Sequence, residues 1–215
     1  LAIVLLDRGI EVLMGDEFVT TPMISFAAKK LHCNLGIIFT ASHNPPIYNG
    51  LKIKGAYGGP ATDDLVNEIV AHIPDKVVMP TDQAYLNFRQ HQKFKAINVE
   101  TIYQQNLLKR FDIQRFLAFQ DRFVFDAMMG SIQHFIQKIF PDMKKVRIDP
   151  DPTFKGTLPE PIEKNLGPLR EALLKGHYEL GLAVDGDADR IGLMDRNGEV
   201  IDAHHIMLIL IWYLN

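Results

Sequence analysis

The sequence predicts an α/β protein made of two consecutive blocks, each a mostly parallel sheet covered by helices. Three observations predict it. In the first 55 residues short apolar runs alternate with helix-like segments across short joints, the pattern of strand, helix, strand. The alternation restarts near residue 122, after a long polar helical stretch. The composition is that of a globular chain: 215 residues, 47% hydrophobic and 23% charged, enough for one large or two small cores.

Each element has a local reason. Residues 1–8 read as the end of a helix, with Gly9 in the position of a C-cap. Residues 10–14 read as a short strand. Thr20-Thr21-Pro22 resembles a helix start, with Thr21 as N-cap and Pro22 at the first helical position, and the helix runs to about Leu31. Residues 35–40 form a compact apolar strand, followed by a polar loop over 41–50 and a glycine-rich turn over 55–60. Thr62 caps a helix that runs through His72. Residues 74–98 are mixed, contain Pro74 and Pro80, and hold the expected domain boundary; a long polar helical stretch covers about 99–117.

The second block opens with a strand at 122–126. A helix over 131–140 ends at Pro141, and 145–148 is a further strand. Residues 149–161 hold four prolines and no periodicity, so they are a loop. A helix follows at 165–175, a buried strand at 180–184 and an extended run at 191–195. The Asn197-Gly198 pair marks a hairpin turn. Residues 203–214 open another helix. The aromatics of 111–125 read as ordinary core.

Charge and cysteine content narrow the function classes. The formal net charge is −3 and the pI about 6.2, so nothing suggests a basic surface for nucleic acid or polyphosphate, and any anion binding must be local. Cys33 is the single cysteine and cannot pair within the chain, which suits a reducing, cytoplasmic setting. The opening apolar run is a poor signal peptide, and the closing run 206–214 is short of the roughly 18 residues a membrane span needs. No membrane partner is expected. Both ends fall inside apolar runs, so a piece of a longer protein is expected.

Two loops carry chemistry. Thr40-Ala41-Ser42-His43-Asn44-Pro45-Pro46 leaves an apolar strand and is stiffened by two prolines. Ser42 sits where a strand ends, a position that exposes a hydroxyl beside free backbone N–H groups. A serine hydroxyl is a weak nucleophile unless its proton is made easier to lose, and His43 and Lys52 are near enough in sequence to help. A plain Ser-Asn-Pro turn is the competing reading.

The second loop is Asp185-Gly186-Asp187-Ala188-Asp189-Arg190. If the backbone is extended, alternate side chains share one side, so the three carboxylates converge. Carboxylates that close repel unless a cation holds them, and a hard divalent ion with oxygen ligands, magnesium above all, is the natural choice. A solvated acidic turn is the bland alternative. An EF-hand fails, because loop positions six and twelve are Arg190 and Arg196. Asp185 and Asp187 also meet the Asp-x-Asp pattern of haloacid-dehalogenase-like phosphatases, in which the first Asp is the nucleophile. That reading leaves the Ser42 loop without a role.

Together the loops resemble the α-D-phosphohexomutase superfamily. Thr40 to Pro45 is similar to its phosphoserine signature, Tyr48-Asn49-Gly50-Leu51-Lys52 to the segment after it, and Asp185 to Arg190 to its magnesium loop. Weaker likenesses, in the same order, are Thr20-Thr21-Pro22, Asp126-Ala127-Met128-Met129-Gly130 and the segment 151–161. The resemblance implies consecutive αβα sandwich domains with mixed, mostly parallel sheets. Residues 1–97 would be the later part of domain I, 98–199 domain II, and 200–215 the start of domain III. The sugar-reading and phosphate-binding loops of the later domains have no counterpart here, nor does an arginine that the family carries near its N-terminus.

The resemblance further implies a mechanism. Ser42 would carry a phosphoryl group and donate it to a hexose phosphate, with glucose or mannose as the sugar. The reaction would pass between the 1- and 6-phosphates through a hexose 1,6-bisphosphate that also serves as activator. Mg²⁺ would be held by Asp185, Asp187, Asp189 and a phosphoserine oxygen. His43 would orient the serine, Lys52 would stabilise charge or shuttle a proton, and Asn44 and Arg190 would contact phosphate or substrate. Ala188 and Pro45-Pro46 lean toward glucose or mannose; a phosphoglucosamine mutase is the alternative within the family. Outside it stand the metal-dependent phosphatase and a piece that only binds Mg²⁺ and anions, since half a cleft is expected to be inactive alone. His204-His205 begin an apolar helix with no third ligand near in sequence, and Gly55 to Gly59 lacks the ending of a Walker loop.

Overall fold

The computed structural model describes residues 1–15, 17–76, 81 and 86–215. Its first block holds α1 (Ala2–Asp7), β1 (Val12–Gly15), α2 (Thr21–Lys30), β2 (Leu35–Phe39), β3 (Leu51–Gly55), α3 (Asp63–Ala71) and β4 (Phe94–Ile97). The second holds α4 (Val99–Arg110), α5 (Ile113–Leu117), β5 (Phe123–Asp126), α6 (Gln133–Ile139), β6 (Lys144–Val146), α7 (Gly167–Gly176), β7 (Leu180–Val184), β8 (Ile191–Asp195) and β9 (Val200–Ile201), followed by α8 (Ala203–Leu214). In the expected boundary segment, residues 77–80, Pro80 among them, and 82–85 lie outside the described residues.

The second block is one five-stranded sheet in the order β6-β5-β7-β8-β9. β5 pairs in parallel with β6 and β7, and the hairpin β7–β8–β9 is antiparallel. Val124, Met128, Leu166, Leu169, Leu173, Ala183 and Met194 are all fully buried where α7 covers this sheet. Burial of the larger of these side chains is worth about 1.5–3 kcal/mol each. The leucines at 166, 169 and 173 recur at helical spacing, which is why one face of α7 is apolar. Pro168 starts that helix and His177 ends it in the left-handed conformation, φ 55°.

The first block has mixed pairing, in two short sheets. β1 pairs in parallel with β4, not with β2, while β2 pairs antiparallel with β3. β3 is absent from the expected elements: its residues Leu-Lys-Ile-Lys fall between the polar loop over 41–50 and the turn over 55–60. They alternate strictly, which is the signature of a strand with one polar face. A cluster of Met23, Ala27, Val99, Ile113, Phe135 and Ile139 joins α2 to α4, α5 and α6, so the helix layer is shared between the blocks. Tyr103, partly buried, packs against it, edge-on to Phe26 and Phe135 with centroids at 5.8 and 5.7 Å.

Three further expectations are corrected. The N-cap of α2 is Thr20, whose side chain accepts from Met23 N; Thr21 is the first helical residue and its hydroxyl is released for another partner. The stretch 99–117 is two helices, broken where the Asp112 carboxylate caps α5 by accepting from Arg115 N at 3.2 Å. Of the aromatics in 111–125, Phe111, Phe116 and Phe119 are largely exposed, and Phe119 lies under the Arg122 guanidinium instead of in the core. α8, capped by Asp202, forms as expected, with its apolar residues Met207 to Leu214 exposed. No described helix is long and apolar enough to cross a membrane.

Candidate active site

The two loops leave strands of different blocks and meet. The serine loop follows β2 and the carboxylate loop follows β7. Ser42 Oγ lies 3.2 Å from Asp185 Oδ2 and 3.1 Å from Asp187 Oδ1. Its single proton serves one of these at a time. The Arg190 guanidinium donates to the same oxygen at 3.3 Å. Ser42 itself is in the left-handed region, φ 55°, a conformation that costs a non-glycine residue of order 1 kcal/mol and marks functional sites.

The expected extended backbone of the carboxylate loop is replaced by a turn. Ala188 N donates to the Asp185 carbonyl at 3.0 Å, Asp185 N to the Arg190 carbonyl at 3.3 Å, and Ala188 has φ 54°. The turn, not alternation, brings the acids together: ligand oxygens of Asp185, Asp187 and Asp189 lie within 4.8 Å of one another. Asp185 and Asp187 are buried, and Asp189 is exposed.

Each carboxylate has its own partners. Asp185 Oδ1 accepts from the backbone N–H groups of Asp189 at 2.9 Å and Arg190 at 3.0 Å, and Oδ2 accepts from Arg190 Nε at 3.0 Å. Burial nonetheless raises its pKa, with Asp187 and Asp189 adding repulsion against the bonds from Arg190. Asp187 Oδ2 accepts from Thr21 Oγ1 at 2.7 Å, Thr40 Oγ1 at 3.2 Å and Lys52 Nζ at 2.7 Å. Burial pushes this acid upward too, but Lys52, Thr21 and Ser42 together outweigh it and hold the carboxyl below the usual range. Lys52 also reaches Asp189 Oδ2 at 2.8 Å. Burial works to lower the lysine's pKa, and its bonds to Asp187 and Asp189 overcome this and raise it, so the ammonium stays charged.

Backbone contacts fix the meeting point. A Cβ on Gly186 would stand 2.4 Å from the Ser42 carbonyl oxygen, and one on Gly130 would stand 2.6 Å from the Gly186 carbonyl oxygen. Two bare backbones are therefore required for the loops to stack. Ser131 N donates to the Gly186 carbonyl at 2.9 Å, Gly186 N to the Pro159 carbonyl at 3.1 Å, and Thr21 N to the Asp187 carbonyl at 2.9 Å. The start of α2 thus points at Asp187, where the helix dipole favours negative charge. Behind Gly130, the fully buried Asp126 pairs with the Arg147 guanidinium and accepts from Met128 N at 2.9 Å.

Of the residues singled out from the sequence, Ser42, Lys52, Asp185, Asp187, Asp189 and Arg190 come together. Asn44 is exposed, and its N–H closes the turn on the Ala41 carbonyl at 3.0 Å. Among the described residues His43 Nδ1 is buried with no hydrogen-bond partner and makes no bond to Ser42 Oγ. Among the described residues the side chains of His204 and His205 pair with Asp202 of their own helix cap and with no other acid. Sequence reasoning missed Thr21 and Thr40 as partners of Asp187, and Glu160, 3.5 Å from the Arg190 guanidinium. The doubled threonine before Pro22 was the available signal: one hydroxyl caps the helix and the second is spare.

Residues 1–77 match the family model of phosphoglucomutase/phosphomannomutase alpha/beta/alpha domain I, and residues 101–198 match that of domain II. A phosphoglucosamine mutase of Limosilactobacillus reuteri is 30% identical over 98% of this chain and 46% of its own length. A phosphoglucomutase of Neisseria meningitidis is 32% identical over 91% and 41%. The crystal structure of a Thermus thermophilus protein assigned to the phosphomannomutases superposes with a TM-score of 0.83 at 30% identity, covering 96% of this chain and 46% of that one. The chain spans about half the length of the curated relatives it matches.

Proposed function

Since the chain belongs to the α-D-phosphohexomutase superfamily, we propose that its Ser42 carries the phosphoryl group in the interconversion of a hexose 1-phosphate and a hexose 6-phosphate. The observation that carries the reading is the convergence on one serine oxygen of two carboxylates at 3.1 and 3.2 Å and a guanidinium at 3.3 Å, from a different block of the fold. A transferring phosphoryl group spreads charge over its oxygens, so catalysis is largely positioning and neutralisation. Arg190 and Lys52 supply fixed positive charge there. The raised pKa of Lys52 favours charge stabilisation over proton shuttling.

The acid cluster fits a hard divalent cation. Asp185, Asp187 and Asp189 offer oxygen ligands within 4.8 Å, two of the three are buried, and the Ser42 oxygen adjoins them. Bound there, Mg²⁺ would supply positive charge against the phosphoryl oxygens. Thr21 and Thr40 orient Asp187, and the backbone amides of Asp189 and Arg190 orient Asp185, so the cluster is preorganised by this chain's own groups. The haloacid-dehalogenase reading needs Asp185 as an open nucleophile. Asp185 is fully buried with both oxygens engaged, which argues against it.

Glucose or mannose phosphate is the proposed substrate, from Ala188 and Pro45-Pro46; glucosamine phosphate is the second reading, favoured by the Limosilactobacillus reuteri relative. The test is the mass of the Ser42 peptide from the full-length protein after incubation with Mg²⁺ and glucose 1,6-bisphosphate. One added phosphate, lost on addition of excess hexose monophosphate, is the expected result. An unmodified Ser42, with phosphate on Asp185 or simply released, would overturn the phosphoserine mechanism. Competition among glucose, mannose and glucosamine 6-phosphates for discharge assigns the sugar.

A further inference from the structure

Thr40 follows the strand that leads to the serine, and its hydroxyl is bonded on both sides. It accepts from Ser42 N at 2.8 Å and donates to Asp187 Oδ2 at 3.2 Å. Chemistry fixes both directions. A backbone N–H only donates and an ionised carboxylate only accepts, so the single hydroxyl proton goes to Asp187. A plain threonine turn is satisfied within its own loop. Here the second bond leaves the loop for a residue 147 positions away.

These bonds close a ring. Asp187 Oδ2 reaches Ser42 N through Thr40, and Asp187 Oδ1 lies 3.1 Å from Ser42 Oγ. One carboxylate thus holds the serine by its backbone and by its side chain at once. That double hold accounts for an otherwise costly feature. Ser42 has φ 55°, and a non-glycine residue stays in that region only where its surroundings over-determine it. Thr40 is itself fixed from the other side. Its N–H donates to the Gly50 carbonyl at 3.0 Å, and a Cβ on Gly50 would stand 2.9 Å from the Thr40 carbonyl oxygen. Thr21 is the contrast: its hydroxyl donates to the same Asp187 Oδ2 at 2.7 Å, but it lies outside the ring.

We propose that Thr40 is a positioning residue, whose hydroxyl relays Asp187 to the Ser42 backbone, holds the serine in its left-handed conformation and so aims Oγ for phosphoryl transfer. The proposal rests on the reading of Ser42 as the phosphoryl carrier. Misplacing a reacting atom by about 1 Å can cost about a hundredfold in rate, so a residue one step removed from the reacting oxygen can govern the transfer.

The test uses the full-length protein and two substitutions that each remove one donor from Asp187, Thr40→Val and Thr21→Val. The first readout, without Mg²⁺ or sugar phosphate, is amide exchange at Ser42 followed by NMR. Thr40→Val should speed it by about threefold to tenfold, the worth of one hydrogen bond, and Thr21→Val should leave it unchanged. The second readout is phosphorylation of Ser42 by glucose 1,6-bisphosphate with Mg²⁺. Thr40→Val should lower the rate at saturation by about tenfold or more, with the half-saturating concentration little changed. Thr40→Ser keeps the hydroxyl and should restore both readouts. If Thr40→Val does not fold, Thr40→Ala removes the same hydroxyl and takes its place. An unchanged Ser42 amide in the Thr40 variant, an equal change in Thr21→Val, or no rescue by Thr40→Ser would overturn the proposal. A wild-type protein that takes no phosphate on Ser42 would instead overturn the carrier reading, and the amide readout would still decide whether Thr40 holds the serine.

Discussion

The loop that carries Ser42 and the loop that carries the carboxylates meet at one point but are held in opposite ways. The carboxylate loop grows from β7, with strands on both sides and a fully buried core beneath it. Its backbone is tied to Pro159, Ser131 and Thr21. The serine loop grows from a two-stranded hairpin whose Phe39, Ile47 and Tyr48 face solvent at 62, 88 and 59% exposure. Its own backbone bonds are local, such as Tyr48 N to the Pro45 carbonyl. Its attachment to the second block runs through Thr40, Ser42 and Lys52, all of which end on the aspartates. One loop is positioned by the core, and the other is positioned by the first. Disturbing the carboxylate side should therefore release the serine side, and the reverse should not hold.

The largest effect should come from the support behind the carboxylate loop. Arg147→Met leaves the fully buried Asp126 carboxylate unpaired, and such a loss is expected to cost about 3–5 kcal/mol; urea unfolding reads it, and a change below about 1 kcal/mol would break the comparison. Gly186→Ala comes next. Its Cβ would stand 2.4 Å from the Ser42 carbonyl oxygen, so the loops must separate at a cost of about 1–3 kcal/mol, with faster amide exchange over residues 40–50.

Asp187→Asn is isosteric and spares the sheet, but it removes the charge that Lys52, Thr21 and Thr40 address. Amide exchange should rise over 40–50 and stay unchanged over β5 to β8. Equal loosening of both would show that the sheet, not the carboxylate, holds the serine loop. Ser42→Ala runs the comparison backwards. Phosphate uptake should vanish, while stability moves by no more than about 0.5 kcal/mol and exchange over 185–190 stays as it was.

The smallest effect is a titration in the hairpin that carries β8. Bonds from the backbone N–H groups of Glu199 and Asn197 hold the Asp195 carboxyl below the usual carboxylate range. Its contribution to the turn is present above the unfolded pKa and is lost as pH falls through the lower folded value. The Glu199 and Asn197 amide resonances should follow that low pKa; a midpoint at or above the ordinary carboxylate value would contradict the turn geometry.

Much of this architecture was legible residue by residue. Residues 180–184 and 191–195 are apolar runs bounded by a polar turn, and they form β7 and β8 with those limits. The helix at 203–214 begins after Asp202, which caps it. The acid cluster was readable because three aspartates at alternate positions after a buried strand have few other uses. Its geometry was not, since the left-handed Ala188 that closes the turn has no signature in an alanine. Strand β3 was hidden by the glycines and polar residues around it, and with it the placing of Lys52.

By itself the sequence determined most of the strands and helices, β3 and β4 apart, where most of their caps fall to within a residue or two, and which two loops hold groups fit for phosphoryl chemistry. Those are local properties, set by periodicity, turn chemistry and side-chain type over a few neighbours. Only the tertiary structure decided that β1 pairs with β4, that Thr21 serves Asp187 rather than its own helix, and that Ser42 stands beside acids more than 140 positions away. These depend on which backbones can approach. That is settled by the shared helix layer and by two glycines whose missing Cβ atoms leave room for the loops to touch.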